Sequence, residues 1–276
     1  MNWMYYNHAA IPVTAPHEKP DLEAIENGSV WKLKGKPLFA RWVSDWDCGT
    51  ETGWWYVIKD SPFDINELKS KRRYEINKGN KNFEIRKIQP KDYVQDLFDI
   101  TIKAYSSWPE KYRPKMDKDQ FYNMIDHWNN CDVFGAFSRE TGELCGYAQL
   151  SDRKSYVEFS ILRVDPEKEK LAINAAIVYG ILEYYKDRFD GMFYINDGSR
   201  SIRHETAFQD YLEKYFGFRK AYCKLNMYYR KWFGIIVHAL YPARKLIKGK
   251  TNLGSRIKGI LLMEEIRRNK GDLCDE

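Results

Sequence analysis

The sequence predicts a mixed α/β protein in which helices pack on a mixed sheet. Short apolar, β-branched and aromatic stretches alternate with segments whose apolar residues recur at helical spacing. Near the middle of the chain, VFGAFSR and LCGYAQLS flank a Glu-Thr-Gly-Glu turn at 140–143, the pattern of a β-hairpin. Strands that alternate with helices favour an α/β layer over a helical bundle.

The first half of the chain predicts strands followed by helices. SVWKLKGKPLFARWV, which starts at Ser29, and GWWYVIK have the composition of strands. A helix is predicted to begin at Pro62 or Asp64 and to end at Gly79, and FEIRKI follows as a strand. PKDYVQDLFDITIKAYSSW and DKDQFYNMIDHWNN predict two more helices.

The second half predicts a strand-helix alternation and then a helical tail. SYVEFSILRV and MFYIND read as strands around the long apolar helix LAINAAIVYGILEYYKDRF, and the helix HETAFQDYLEKYF precedes the strand RKAYCKLNMYYR. Beyond them, KWFGIIVHALYPARKLIKGK and SRIKGILLMEEIRRNK predict amphipathic helices. The expected regions are an irregular, Pro-rich arm at 1–28, an α/β region at 29–130, a core at 131–230 and a basic tail at 231–276.

The composition favours a globular protein of the cytoplasm. Apolar residues make up 43% of the chain and charged residues 30%, which argues against disorder. No apolar run is long enough for a transmembrane helix, and the N-terminus lacks the pattern of a signal peptide. The five cysteines lie far apart without a CxxC pair, so neither a disulfide framework nor a metal site is predicted.

The net charge of +6 is concentrated near the C-terminus. The segment 218–263 contains eleven Lys or Arg and no Asp or Glu. Within it, apolar residues precede basic ones: Trp232, Phe233, Ile235, Ile236, Val237, Leu240 and Tyr241, then Arg244, Lys245, Lys248 and Lys250. This pattern favours peripheral binding of 231–268 to an anionic membrane surface, on the inner face of the membrane. The alternative is a tail that packs on the core or on a second subunit.

The segment 131–230 resembles the core of the GNAT acyltransferases. The order hairpin, strand, loop, long helix, strand, helix, strand is similar to that core, and YLEKYFGFRKAY, with Gly217 at the helix end, resembles the end of its last helix. SKRRYEINKGNKNFEIRKI resembles the basic opening of FemAB-like acyltransferases, and DGSRSIRHETAFQ is similar to a segment of GNAT-like proteins of surface-polysaccharide synthesis. On this resemblance, 29–130 is interpreted as an N-terminal extension or a degenerate second GNAT-like half.

The resemblance implies an activated acyl donor, for which acyl-CoA (acetyl-CoA) is the first candidate. The residues expected around such a donor are Val164, Lys168, Lys170 and Asn196. GNAT enzymes usually hold the pyrophosphate on a glycine-rich loop, but no glycine lies between Val164 and Tyr179. Aminoacyl-tRNA is therefore a second candidate donor, and a non-catalytic scaffold with the same fold is a third reading.

The expected chemistry is acyl transfer to an amino or hydroxyl group of a sugar nucleotide or a lipid-linked glycan precursor. Glu158, on the strand where GNAT enzymes often carry a carboxylate, is the candidate base. Tyr222 is a candidate acid for the leaving group. The alternatives are an exposed face for Glu158 and a packing role for Tyr222.

The densest polar cluster in the chain runs from 196 to 206, after a predicted strand. His204 is a candidate acid or base, while Asp197, Arg200 and Arg203 are candidate substrate-binding residues. Structural roles at the start of a helix are the alternative. A second basic cluster, on the helix before FEIRKI, is either a solvated face or an anion-binding surface for a pyrophosphate-linked substrate or RNA: Lys69, Lys71, Arg72, Arg73, Lys78 and Lys81.

Overall fold

The computed structural model describes residues 2–110, 113–128, 130–202, 207–247, 249 and 251–269. The chain divides into two compact units, each assembled from separate segments. Unit 1 comprises Met1–Val57, Ser199–Ala207 and Lys220–Glu276, and unit 2 comprises Ile58–Gly198 and Phe208–Arg219.

Strands and helices follow one another along the chain, as the sequence predicts. The strands are β1 Trp3–Tyr6, β2 Ala9–Pro12, β3 Phe39–Ser44, β4 Trp54–Lys59, β5 Phe83–Ile88, β6 Cys131–Ser138, β7 Leu144–Asp152, β8 Tyr156–Val164, β9 Tyr194–Ser199 and β10 Arg219–Tyr229. The α-helices are α1 Glu23–Glu26, α2 Ser70–Asn82, α3 Val94–Ser106, α4 Lys118–Asp126, α5 Ile173–Tyr185, α6 Ala207–Phe216, α7 Lys231–Leu240 and α8 Asn252–Arg268.

Unit 2 contains the predicted hairpin at the centre of a mixed sheet. Its strands lie in the order β9-β8-β7-β6-β5, and only the β8-β9 pair is parallel. Helices cover both faces because successive side chains of a strand point to opposite sides. Val133 packs in a cluster with Leu97 of α3 and Phe121 of α4. Its neighbour Phe134 contacts Tyr185 of α5 instead.

Unit 1 builds its own sheet in the order β1-β2-β3-β10-β4. The pairs β1-β2 and β3-β10 are antiparallel, whereas β2-β3 is parallel. One face packs against α7 and α8, with a buried cluster that contains Phe39, Trp54 and Met263. A second cluster, around Trp3 and Val30, fixes the N-terminal strands.

Three segments differ from the sequence-based expectation. Within the stretch predicted to be irregular, β1 and β2 form a hairpin. The long strand predicted from Ser29 begins only at Phe39, because 29–32 is a 3-10 turn and Gly35 and Lys36 adopt positive φ. The helix predicted from 62–64 begins at Ser70, since Leu68 is extended and ends a short 3-10 turn.

The tail helices are present, and α8 packs on the unit 1 core. Leu261, Met263 and Glu264 of α8 are buried, as is Val237 of α7. Tyr229 of β10 donates a hydrogen bond to Glu264 at 2.7 Å and so ties α8 to the sheet. No described helix has both the length and the apolar character required to cross a membrane.

Helices α2 and α5 of unit 2 approach so closely that only glycine fits at their crossing. A Cβ added to Gly79 of α2 would lie 2.5 Å from the carbonyl oxygen of Ala172 and 3.0 Å from the amide nitrogen of Ala176. Both atoms belong to backbone that cannot rotate away. The first turn of α5 is therefore covered by α2.

Replacing Gly79 with Ala is expected to lower the free energy of unfolding by about 2 kcal/mol, because the added methyl group must push two helices apart. Without that clash, Ala would favour the helix relative to Gly. Denaturant unfolding followed by circular dichroism measures the change. Lys71→Ala, at an exposed position of the same helix, is the control and should leave stability nearly unchanged. Equal stability of G79A and K71A would contradict the crossing geometry.

Candidate active site at the end of the β8-β9 ladder

The parallel ladder between β8 and β9 is short. Only three residue pairs form it, and the last is Glu158 with Asn196. Strand β8 continues for six more residues to Val164, and none of these pairs with β9 among the described residues. On that side, the backbone of β8 after Glu158 therefore has donors and acceptors that no ladder partner occupies.

A β-bulge lies directly after this point. In the antiparallel ladder of β7 with β8, Gln149 pairs with Ile161 and Leu150 pairs with Phe159, so Ser160 is the extra residue. A bulge bends its strand and commonly occurs beside active sites. The bend therefore lies at the place where the β8-β9 ladder stops.

Side chains of the last pair are linked to each other and to the following turn. The amide of Asn196, which is fully buried, donates from Nδ2 to Oε1 of Glu158 at 3.4 Å. Its Oδ1 accepts the backbone N–H of Gly198 at 2.8 Å. Gly198 has a φ of 90°, a region that favours glycine. Asn196 thus fixes both Glu158 and the turn after Asp197.

The carboxyl groups of Glu158 and Asp197 are both shifted toward the neutral form. Burial raises the pKa of Glu158, and Arg153 offsets only part of this effect. Burial, together with the negative charge of Glu158, raises the pKa of Asp197 to about 7 despite a hydrogen bond from Gln209. Both carboxyl groups are therefore harder to ionise than they would be in water.

Gln209 of α6 holds the backbone of the same turn. Its Nε2 lies 3.3 Å from the carbonyl oxygen of Asp197 and 3.5 Å from that of Gly198. The side chain of Gln209 is buried. The end of β9 is therefore fixed by side chains from β9 itself and from α6, which suits a site that must be rigid.

Sequence-predicted residues at the start of α5 do not form a pyrophosphate cradle. Val164 is buried and pairs with Gly146 of β7. Lys168 and Lys170 lie in a 3-10 helix, Pro166–Leu171, at whose start Asp165 accepts the N–H of Glu167. The carboxylate of Asp165 thus lies at the start of the 3-10 helix, a position that suits an anion. In addition, α2 covers the first turn of α5. The residues present do not fit a coenzyme A pyrophosphate at this position.

In unit 1, Arg200 and Tyr222 surround the ring of Trp55. The guanidinium carbon of Arg200 lies 4.6 Å from the ring centroid, and the Nζ of Lys220 lies 4.8 Å from it. Tyr222 meets the same ring edge-on at 6.0 Å. Arg200 also donates to the carbonyl oxygen of Gly53 at 2.6 Å, and burial lowers its pKa. Two cations on one aromatic ring form a positively charged surface patch.

The remaining predicted residues lie elsewhere or outside the described part of the chain. Arg72 stacks on Tyr215 at 5.5 Å, and Arg73 donates to the carbonyl oxygen of Leu68 at 3.2 Å, so both make structural contacts within unit 2. Arg203 and His204 lie outside the described residues. The described residues include no group of three or more His, Cys, Asp or Glu placed to hold a metal ion.

Sequence reasoning assigned Asp197 to substrate binding and did not identify its unusual acidity. The shift depends on Glu158, which is 39 positions earlier, and on burial that only the folded chain creates. One signal lies in the sequence: Asp197 is at the carboxyl end of the predicted strand MFYIND, where open α/β sheets place functional groups. Asn196 and Gln209 were equally hard to predict in their supporting roles.

Replacing Asp197 with Asn is expected to make stability less sensitive to pH. Folding raises the pKa of Asp197 from 3.8 to about 7, so the stability it contributes is complete below about pH 4 and is lost as the pH rises through about 7. The free energy of unfolding of the parent protein should fall relative to D197N between pH 4 and pH 8, by about 4 kcal/mol at most.

Denaturant unfolding of both proteins at several pH values measures this difference. Asp187→Asn, an exposed carboxylate of the same unit, is the control and should follow the parent protein at every pH. A stability difference between D197N and the parent that does not change with pH would show that Asp197 ionises normally.

Comparisons with known proteins relate this fold to two groups of solved structures. No protein-family model matches the sequence, and no curated protein matches it. FemX is similar with a TM-score of 0.55 and 11% identity, over 87% of this chain and 83% of that chain. L-PGS from Bacillus licheniformis is similar with a TM-score of 0.51 and 12% identity, over 96% of this chain and 85% of that chain.

A third structure is the C-terminal domain of a protein from Agrobacterium fabrum assigned as a lysylphosphatidylglycerol synthetase. Its TM-score is 0.52 at 11% identity, over 91% of this chain and 86% of that chain. At such low identity the likeness concerns the fold. The chain therefore has a fold similar to that of FemX and of these two synthetase structures.

Proposed function

We propose that this chain is an acyltransferase that moves an acyl or aminoacyl group to an amino or hydroxyl group of a cell-surface glycan precursor. The observation that carries the proposal is the pair Glu158 and Asp197 where the β8-β9 ladder ends. A carboxyl group with a pKa of about 7 is suited to accept and return a proton at neutral pH. The FemX-type fold supports the same reaction class.

In the proposed reaction, Asp197 acts as the general base. Its carboxylate accepts a proton from the acceptor amine or hydroxyl as that nitrogen or oxygen bonds to the acyl carbonyl carbon. The tetrahedral intermediate then collapses, the bond from carbon to the leaving group breaks, and the leaving group takes up the proton that Asp197 had accepted, which restores the carboxylate. Burial raises the pKa of Asp197 most, and the charge of Glu158, the second carboxyl group of the proposed site, raises it further.

Stabilisation of the oxyanion is assigned to the backbone of β8. After Glu158, backbone N–H groups on the β9 side have no ladder partner among the described residues, and the bulge at Ser160 changes their direction. Preorganised N–H donors are effective where negative charge develops on a carbonyl oxygen. Arg200 and Arg203 are proposed, on the sequence alone, to bind the acceptor, and Arg200 belongs to the cationic patch around Trp55 in unit 1.

Replacing Asp197 with Asn is expected to reduce kcat about 100-fold or more, because the amide cannot accept the proton. Glu158→Gln should reduce kcat less and shift the acidic limb of the kcat/KM profile to lower pH, since it removes the charge that raises the pKa of Asp197. Transfer is measured by mass spectrometry with amino-sugar nucleotides and lipid-linked sugars as acceptors.

Asp187→Asn is the matched control and should retain the parent activity and pH profile. Full activity of D197N would overturn the role of Asp197. Absence of transfer across both donor classes and the whole acceptor panel would favour the alternative of a non-catalytic scaffold.

A second candidate donor is aminoacyl-tRNA, and two observations favour it over acyl-CoA. The start of α5 does not fit a pyrophosphate, as described above. In addition, Lys69, Lys71 and Lys81 are exposed around α2 and give unit 2 a basic surface. Lysines spread over a surface bind phosphate backbones through charge rather than sequence.

Binding of tRNA is expected to weaken steeply with salt if α2 meets a phosphate backbone. Replacing Lys69, Lys71 and Lys81 together with Ala should reduce the slope of log K against log salt by about 2 to 3, because each lysine releases about one counterion. Filter binding at several salt concentrations measures the slope. Lys32→Ala, Lys115→Ala and Lys186→Ala combined is the control of equal charge. If the parent protein, the triple variant of α2 and the control variant have the same slope, α2 does not contact the tRNA.

The proposed site of action is the inner face of the membrane, where a lipid-linked precursor would be available. Unit 1 supports this location through α7, whose outward side chains Trp232 and Ile235 are 51% and 71% exposed. Large apolar side chains exposed beside basic residues are typical of segments that bind anionic leaflets. The proposal thus includes both an acceptor class and a membrane location.

A further inference from the structure

A cavity of about 340 Å³ lies beside α7 in unit 1. Its lining residues come from β10, α7 and α8: Met227, Tyr228, Tyr229, Lys231, Gly234, Ile235, His238 and Arg267. Gly234 keeps α7 close to the strand, since a Cβ at this position would lie 3.1 Å from the Cβ of Tyr229. The cavity is thus bounded by a rigid helix-strand contact.

The polar lining of the cavity is mainly cationic. Lys231 and His238 come from α7 and Arg267 comes from α8. Lys231 forms no ion pair with any described residue. The nearest acidic group is Glu264, whose Oε1 lies 3.8 Å from Nε2 of His238. Of the basic lining residues, His238 and Arg267 thus lie close to this carboxylate.

Both carboxylate oxygens of Glu264 already accept hydrogen bonds from other side chains. It accepts hydrogen bonds from Arg267 at 2.7 and 2.8 Å, from Arg268 at 2.7 Å and from Tyr229 at 2.7 Å. Burial opposes the ionisation of Glu264, but these hydrogen bonds outweigh it and lower its pKa to about 2. The positive charge of Lys231 is therefore available for an anion from outside the chain.

An apolar surface adjoins the cavity on the outward side of α7. Trp232, Ile235 and Ile236 have the i, i+3, i+4 spacing of one helix face and are all exposed, whereas Gly234 and Val237 face the core and are buried. Leu246 and Leu253 add further exposed apolar side chains nearby in the sequence. The surrounding segment 218–263 contains no acidic residue.

We propose that α7 docks on an anionic phospholipid leaflet, with Trp232, Ile235 and Ile236 among the acyl chains and one lipid phosphate bound in the cavity by Lys231 and His238. The proposal deepens the membrane location proposed above and assigns its ligand. Charge complementarity selects this occupant: the surface is basic and apolar, and the carboxylate of Glu264 beside it is buried and bonded to two arginines, which suits an anionic lipid surface better than a neutral one. Arg267 acts mainly by holding Glu264.

Vesicle flotation tests the docking. The parent protein is expected to bind vesicles of phosphatidylglycerol mixed with phosphatidylcholine at least tenfold more tightly than pure phosphatidylcholine. Ile235→Ser with Ile236→Ser should lower binding to the anionic vesicles at least tenfold, since two side chains lose their place in the leaflet. Lys231→Ala should lower it about fivefold, as expected for one basic residue near an anionic surface.

Matched controls keep the test specific. Met192→Ser changes an exposed apolar residue of unit 2 and Lys115→Ala an exposed lysine, and neither should affect vesicle binding. Equal binding to both vesicle types, or unchanged binding of the double serine variant, would overturn the proposal. Thermal unfolding of each variant shows whether it is folded.

A titration with a soluble phosphate ester distinguishes a lipid ligand from a free phosphate ligand. Glycerol 3-phosphate is titrated while the His238 ring signals are followed by nuclear magnetic resonance. Weak or absent binding of this soluble ester beside strong vesicle binding supports a lipid site. Tight binding without vesicle binding would assign the cavity to a soluble phosphate and overturn the docking. D197N should bind vesicles normally, so a failure of acyl transfer and a failure of docking are distinguishable.

Discussion

The early end of the β8-β9 ladder determines where chemistry can occur in unit 2. A continuous parallel ladder would satisfy the backbone of β8 and leave no opening between the two strands. Because pairing stops at Glu158 and Asn196, the backbone of β8 beyond this point has no ladder partner in β9 among the described residues, and the two carboxyl groups there are half-buried. The bulge at Ser160 and the positive φ of Gly198 lie next to this interruption. The proposed site thus depends on a β8-β9 ladder that ends after three residue pairs.

Local signals allowed much of the fold to be predicted. The hairpin of β6 and β7, the apolar helix α5 and the helix end at Gly217, whose φ is 67°, each depend on patterns within a few residues. The incorrect prediction of a strand between Ser29 and Phe39 also came from a local pattern. Its alternation resembles a strand, but the 3-10 turn at 29–32 and the turn at Gly35 interrupt it.

The candidate site was only half predictable, because its chemistry depends on distant partners. The resemblance to GNAT enzymes identified Glu158, but the pKa of Asp197 depends on burial and on the side chains of Gln209 and Glu158, which lie on other elements. The absence of glycine after Val164 indicated an unusual donor loop. In the structure, the close backbone approach near α5 is made by the neighbouring helix α2, at Gly79. No pattern within a few residues of the sequence could reveal this contact.

Glu264 fixes α8 on the unit 1 sheet, and α7 packs beside it with an apolar outer face. Glu264 is buried with its oxygens bonded to Arg267, Arg268 and Tyr229, which holds α8 on the sheet. With α8 fixed there, α7 buries only Gly234 and Val237 and turns Trp232 and Ile235 outward. Side chains of this size are rarely left exposed next to one another unless they meet a partner. Since α7 belongs to unit 1 and the carboxyl pair to unit 2, the proposed attachment and the proposed chemistry depend on separate sets of residues.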